Sequence, residues 1–206
     1  RHLYYLVKAS LRLAKERGVC SWINETKWPE GWMPFDNYKK SLDEIVPNKL
    51  TYDWETLRNK IVAFGGIRNS TLVAHMPAES SSKASGTTNG PYPVRELFMK
   101  KTDMNSVLEW TAKDDDIYGE NYQIAYDIDT VDLIKFYAVL QKFSDQSTSA
   151  DFYEDRHKNP ILSENTLIRR LVARAKYGVV TKYYQNSFTV KVEEFGEDNS
   201  NQELSD

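Results

Sequence analysis

The sequence predicts an α/β protein. Amphipathic helices alternate along it with short, nearly continuous apolar runs of strand length, the pattern expected of strands buried on both faces beneath helices. Two runs carry this reading, residues 71–76 and residues 179–185. The 206 residues suit one domain or slightly more. A hydrophobic share of 40% with 13% aromatics is too apolar for wholesale disorder. No apolar run approaches the ~18 residues of a membrane helix, which excludes a spanning protein of that kind. A net charge of −3 removes the electrostatic footprint of a nucleic-acid binder. The single cysteine, Cys20, excludes a disulfide framework and a multi-cysteine zinc site, and implies a reducing, cytoplasmic setting.

The elements follow in order. Leu3, Leu6, Val7, Leu11 and Ala14 keep helical spacing from the outset, and Gly18 supplies the stop. Opening inside an amphipathic helix, with no Met and no signal peptide, the chain is expected to be a fragment that works beside a missing N-terminal part. Residues 21–36 hold three tryptophans and two prolines and read as an ordered loop whose aromatics dock on the core. A short helix over 39–46 stops at Pro47. Asp53 caps a helix through Leu57, Ile61, Val62 and Phe64, closed by Gly65-Gly66. Residues 95–101 read as a strand and Asp114-Asp115-Asp116 as a solvated turn. A helix over 130–143 presents Leu133, Ile134, Tyr137, Val139 and Leu140. Residues 146–153 read as another strand. Ser163 caps the last helix, where Leu167, Ile168, Leu171, Val172 and Ala175 form one apolar face and Gly178 ends it. The chain turns polar after Asn186, and residues 192–206 form an acidic tail.

Two clusters suggest chemistry. In Pro77-Ala78-Glu79-Ser80-Ser81-Ser82, hydroxyls follow an apolar run and a proline break. If Ser80 to Ser82 open a short helix, its unpaired amides and positive dipole end suit an anion. A Ser/Gly linker explains the same composition. The second cluster is Tyr183-Tyr184 on the last apolar run. Adjacent strand residues face opposite sides, so both rings meet in one cavity only at a strand end or bulge. Core tyrosines with bonded hydroxyls fit equally well. His2, His75 and His157 lack ligand spacing, Cys20 reads as a buried structural thiol, and no metal site is expected.

Read together, the segments resemble one family. Residues 13–18, Trp22-Ile23-Asn24-Glu25-Thr26, Arg68-Asn69-Ser70-Thr71-Leu72, residues 75–82, Thr88-Asn89-Gly90, Gln141-Lys142-Phe143 with Asp145-Gln146-Ser147, and residues 178–186 fall in that family's order over nearly the whole chain. It is the large, catalytic subunit of class I ribonucleotide reductase, of which this sequence resembles the C-terminal portion. Met-Pro-x-Glu-x-Ser-Ser and Tyr-Tyr-Gln-Asn are each specific, and both stand in register here.

The resemblance implies the C-terminal part of a ten-stranded α/β barrel with a small α/β lobe, incomplete without its N-terminal part. Residues 1–90 would be barrel with the phosphate loop, 91–145 the small lobe, 146–186 the last barrel strands and helix, and 187–206 a flexible acidic tail. Glu79, Ser80, Ser81 and Ser82 match the substrate-diphosphate site, Tyr183 and Tyr184 the paired tyrosines that relay a radical, and Arg95 an arginine near the subunit interface. Implied partners are the N-terminal part, the radical-generating small subunit with its di-iron/tyrosyl radical, a ribonucleoside diphosphate, and thioredoxin or glutaredoxin indirectly. No cofactor is expected on this chain itself; ATP and dNTP effectors belong to the missing N-terminal part. The radical cysteine and the reducing cysteine pair have no counterpart here, because Cys20 matches none of them. The family's two tail cysteines are missing too, and Phe188 replaces a frequent arginine. A non-catalytic remnant or partner-binding module of the same fold is the alternative.

Overall fold

The structure, a computed structural model, describes residues 1–103, 106–153 and 164–179. Tyr183 and Tyr184, the rest of the strand expected at 179–185, the cap expected at Ser163 and the acidic tail lie outside the described residues. The chain forms two compact units, one of residues 1–76, 134–149 and 173–179, the other of residues 77–133, 150–153 and 164–172.

In the first unit, α1 (His2–Arg17) buries Leu3, Val7, Leu11 and Ala14, as its spacing requires, and ends at Gly18 with φ +79°. A left-handed residue there favours glycine because a side chain would clash with the backbone. The aromatic loop follows. Trp28 is buried and its indole N–H donates to the Ser70 carbonyl at 2.9 Å, but Trp22 stands 71% exposed. The expectation that all three tryptophans dock is therefore corrected at Trp22. Three-ten turns occupy Ile23–Glu25, Pro34–Asp36 and Lys40–Glu44, the last within the short helix expected over 39–46. Asp53 accepts from the Thr56 amide at 2.9 Å and caps α2 (Trp54–Phe64), which Gly65 closes in the left-handed region. Leu57 and Ile61 of α2 pack with Leu3, Val7, Leu11, Trp28, Met33 and Ile67 in one apolar cluster.

Residues 71–76 correct the sequence reading more deeply. Among the described residues they form no ladder with another strand, and Thr71, Ala74 and Met76 are exposed. A buried strand requires partners on its flanks for every N–H and C=O, and none lies alongside among the described residues. A side chain supplies acceptors instead: the Asp145 carboxylate takes the amides of Leu72 at 2.6 Å and Val73 at 2.9 Å. The His75 carbonyl accepts from the Ser149 amide at 2.8 Å. The run over 146–153 forms no extended strand among the described residues, only a bridge position at Ala150.

The second unit opens with α3 (Glu79–Ser85). Here β1 (Phe98–Asp103) and β2 (Ser106–Thr111) pair antiparallel, Phe98 opposite Thr111 and Asp103 opposite Ser106. The strand expected over 95–101 thus starts three residues later, as one arm of a hairpin. The Asp-rich turn becomes α4 (Asp115–Tyr118), entered through Asp114 at φ +54°. An isolated parallel bridge joins Val94 to Ile124. Two longer helices, α5 (Thr130–Lys142) and α6 (Glu164–Tyr177), complete the described chain. It is rich in helix with one two-stranded sheet, and no closed barrel is seen among the described residues.

The face of α6 reverses the expectation. Leu167, Ile168, Leu171 and Val172 are between 41% and 62% exposed, whereas Arg170 is 3% exposed. Its guanidinium lies 4.2 Å from the Phe152 ring and donates to Thr130 Oγ1 at 2.9 Å. The delocalised, weakly hydrated guanidinium tolerates burial when stacked and bonded in this way.

Asp145→Ala leaves the Leu72 and Val73 amides without their acceptor. Two bonds to a charged acceptor, at about 1.5 kcal/mol each, put the expected loss near 3 kcal/mol. The urea midpoint of the variant measures it, and Asp145→Asn, which keeps one carbonyl acceptor, falls between the two.

Candidate functional site

The serine segment is helical, as its hydroxyl-rich start allows. The Ser82 amide bonds the Ala78 carbonyl at 2.8 Å and sets the first turn of α3. Helix geometry gives the preceding N–H groups no partner within the helix. The Ala78 amide donates to Asn89 at 2.8 Å, so the approach to α3 is tied to the Thr88-Asn89-Gly90 stretch. Ser80 and Ser81 are exposed, and Ser82 is buried. The Ser81 hydroxyl donates to the Ala78 carbonyl at 3.3 Å, while Ser85 Oγ reaches the carbonyls of Ser81 and Ser82 at 2.9 and 3.2 Å. Gly86, at φ +65°, caps the far end, and the Thr87 amide returns to the Ser82 carbonyl at 3.0 Å. The segment is thus a capped helical turn with two hydroxyls facing solvent, where composition alone allowed a free linker.

The other sequence candidates fall as follows. Arg95 is half-buried and points its Nη2 at Met99 Sδ, 3.6 Å away. His75 is half-buried, and burial holds its imidazole below the ordinary 6.5. Cys20 is half-buried, and its amide donates to Ile67 at 3.1 Å. His157 lies outside the described residues. Among the described residues no group of His, Cys, Asp and Glu could hold a metal, and no helix is long and apolar enough to cross a membrane.

Sequence reasoning missed an open cavity of about 690 Å³ in the second unit. Gly86, Thr87 and Thr88, just beyond α3, line it together with Tyr92, Lys113 and Tyr122. The Tyr122 hydroxyl donates to the Lys113 carbonyl at 2.6 Å, which fixes that wall. Nothing in the local pattern signals the cavity, because its walls come from three separate stretches. Asp145 stood out only as part of the resemblance, and its role as an amide acceptor carried no local signal, since an acid after a helix is usually a solvated one.

A family model described as the ribonucleotide reductase barrel domain matches residues 2–185. The chain is 41% identical over 187 residues to the ribonucleoside-diphosphate reductase subunit alpha of Haemophilus influenzae, covering 89% of this chain and 25% of that protein. Identity is also 41% to the subunit alpha of Escherichia coli ribonucleoside-diphosphate reductase 1, with 89% and 24% covered. The Enterobacteria phage T4 subunit alpha is 35% identical over 192 residues, with 89% and 25% covered. The chain therefore spans about a quarter of the length of the curated relatives it matches.

A histidine whose folded pKa lies below its unfolded value favours folding when neutral. Stability from His75 is then fully present above pH 6.5 and is lost as the pH falls through that value toward the folded pKa. An imidazole titration by NMR should show a midpoint below 6.5. His75→Gln should flatten this part of the stability–pH curve, and an unchanged curve would return His75 to an ordinary exposed histidine.

Proposed function

Since the chain belongs to the ribonucleotide reductase barrel-domain family, we propose that it is the C-terminal component of a ribonucleoside-diphosphate reductase large subunit, with its share of the ten-stranded barrel and the small lobe. The observation that carries the reading is the match of the family over residues 2–185, which takes in both the serine segment and the tyrosine pair. The reaction replaces the ribose 2′-hydroxyl with hydrogen by radical chemistry. It needs a thiol that abstracts hydrogen and a thiol pair that reduces. Cys20 is the one thiol in these 206 residues, so residues outside this sequence supply those groups.

Ser80 and Ser81 bind the substrate's diphosphate. Their exposed hydroxyls and the neighbouring amides at the start of α3 donate to phosphate oxygens. Ser82, being buried, acts on the turn itself. Glu79 stands at the head of the same segment. Tyr183 and Tyr184 carry the radical from the small subunit, whose di-iron/tyrosyl centre supplies it. A phenol loses an electron and a proton together to a hydrogen-bonded neighbour, which phenylalanine cannot do. Arg95 belongs to the surface that meets the small subunit. The exposed apolar row of α6 supports a protein partner as well, since contiguous apolar surface commonly marks an interface. Re-reduction by thioredoxin or glutaredoxin runs through groups beyond this chain, and effector nucleotides bind there too.

The test is turnover of a ribonucleoside diphosphate by this chain with the small subunit and the remaining large-subunit residues, driven by an external dithiol. The 206 residues with the small subunit alone should form no deoxynucleotide. Ser80→Ala or Ser81→Ala should raise KM, a lost charge-assisted donor of about 1.5–3 kcal/mol weakening the site roughly 10- to 150-fold. Unchanged KM in both variants would return the segment to a capped turn without a ligand. Tyr183→Phe and Tyr184→Phe should each abolish kcat with KM intact. Near-normal turnover in both would reject the relay and favour a module that binds partners without catalysis.

A further inference from the structure

Ala78 carries the serine turn on its two backbone polar groups. Its carbonyl accepts from the Ser82 amide at 2.8 Å and from the Ser81 hydroxyl at 3.3 Å. Its amide donates to the Asn89 carbonyl at 2.8 Å. Asn89 belongs to the stretch that returns after α3. The same stretch reaches the middle of that helix, through the Thr87 amide on the Ser82 carbonyl at 3.0 Å. Residues 87–89 thus hold the serine turn from two sides.

The returning stretch has a stop of its own. The Gly90 carbonyl accepts from Thr88 Oγ1 and from the Tyr92 amide, each at 2.9 Å. The Tyr92 ring rests on Gly90, where a Cβ would come within 2.3 Å of the ring edge. Gly90 does not have the positive φ that would by itself call for glycine, so it is the ring that excludes a side chain there. Tyr92 is buried, with Tyr153 edge to face against it at 5.2 Å and Tyr126 5.9 Å from Tyr153. The ring therefore has little room to swing. A displacement at Gly90 is shared between the ring and the backbone that bears the Asn89 carbonyl.

We propose that Tyr92 is a positioning residue for the diphosphate site. Its ring, seated on Gly90, sets the Asn89 carbonyl and, through Ala78, the place of the Ser81 hydroxyl. The inference rests on the reading of Ser80 and Ser81 as diphosphate-binding residues, and it adds a residue that acts through the backbone. A binding side chain contributes in full only when it is already in place, because ordering it on association subtracts from affinity. Tyr92 supplies that order from the core. The Ser81–Ala78 bond is long, and the hydroxyl leaves it for a phosphate oxygen, a charged and stronger acceptor.

The experiment measures KM and kcat of the reconstituted reductase for a ribonucleoside diphosphate. Gly90→Ala should raise KM roughly 2- to 10-fold, the worth of one neutral hydrogen bond, with kcat unchanged. Tyr92→Leu removes the ring without adding a Cβ at 90. It should raise KM in the same way, and it carries the test if Gly90→Ala does not fold. Tyr92→Phe, the conservative variant, restores the ring and should bring KM back. Near-ultraviolet circular dichroism establishes that each variant is folded. A raised KM in Ser81→Ala beside an unchanged KM in the folded Gly90→Ala and Tyr92→Leu chains would overturn the positioning role alone. Unchanged KM in Ser80→Ala and Ser81→Ala as well would overturn the diphosphate reading and this role with it. A fall in kcat with KM intact would also overturn it, as would a KM in Tyr92→Phe as high as in Tyr92→Leu.

Discussion

The first unit depends on one carboxylate. Asp145 receives two successive backbone amides, those of Leu72 and Val73, and does the work that a neighbouring strand does in a sheet. Unpaired amides in a half-buried run are costly to leave unmet. Asp145 itself is placed by α5, where Ile134 and Tyr137 are fully buried and hold the helix in register. Just before it, Lys142 is buried with its amine 3.0 Å from Asn48 Oδ1 and 3.9 Å over the Tyr38 ring. The Tyr38 hydroxyl in turn donates to Asp43 at 2.8 Å. The end of α5 is therefore anchored by polar bonds on one side and supplies them on the other.

Much of the fold was legible where the decisive interactions are local. The stops at Gly18 and Gly65 and the cap at Asp53 act within a turn of their helices, so α1 and α2 could be read to within a residue or two. Residues 71–76 could not. Apolar, β-prone composition permits a strand, but a ladder is made by partners distant in sequence, and here an aspartate some seventy positions on takes that place. In α6 the periodicity identified an apolar stripe correctly and its direction wrongly. Which side of a helix faces inward depends on what waits there, and Phe152 with Thr130 suits a flat cation better than a branched alkyl group. Trp22 is the same lesson at one position.

The candidate site was legible in part for a chemical reason. Clustered hydroxyls after a proline allow a helix start as readily as a Ser/Gly linker, and α3 forms there. Tyr183 and Tyr184 were singled out by sequence resemblance and lie outside the described residues. Tyr92, Tyr126 and Tyr153 escaped notice because each sits alone in its own stretch, and only folding brings the rings together.

Gly90 and Tyr92 constrain one another through descent as well as through space. With the Tyr92 ring lying on the glycine, any residue bearing a Cβ at position 90 collides with the aromatic edge. Substitution at 90 therefore forces the Tyr92 ring to shift. The route with least strain trades the tyrosine for something smaller first. The two positions should drift as a linked pair, with the glycine the later of the two to change.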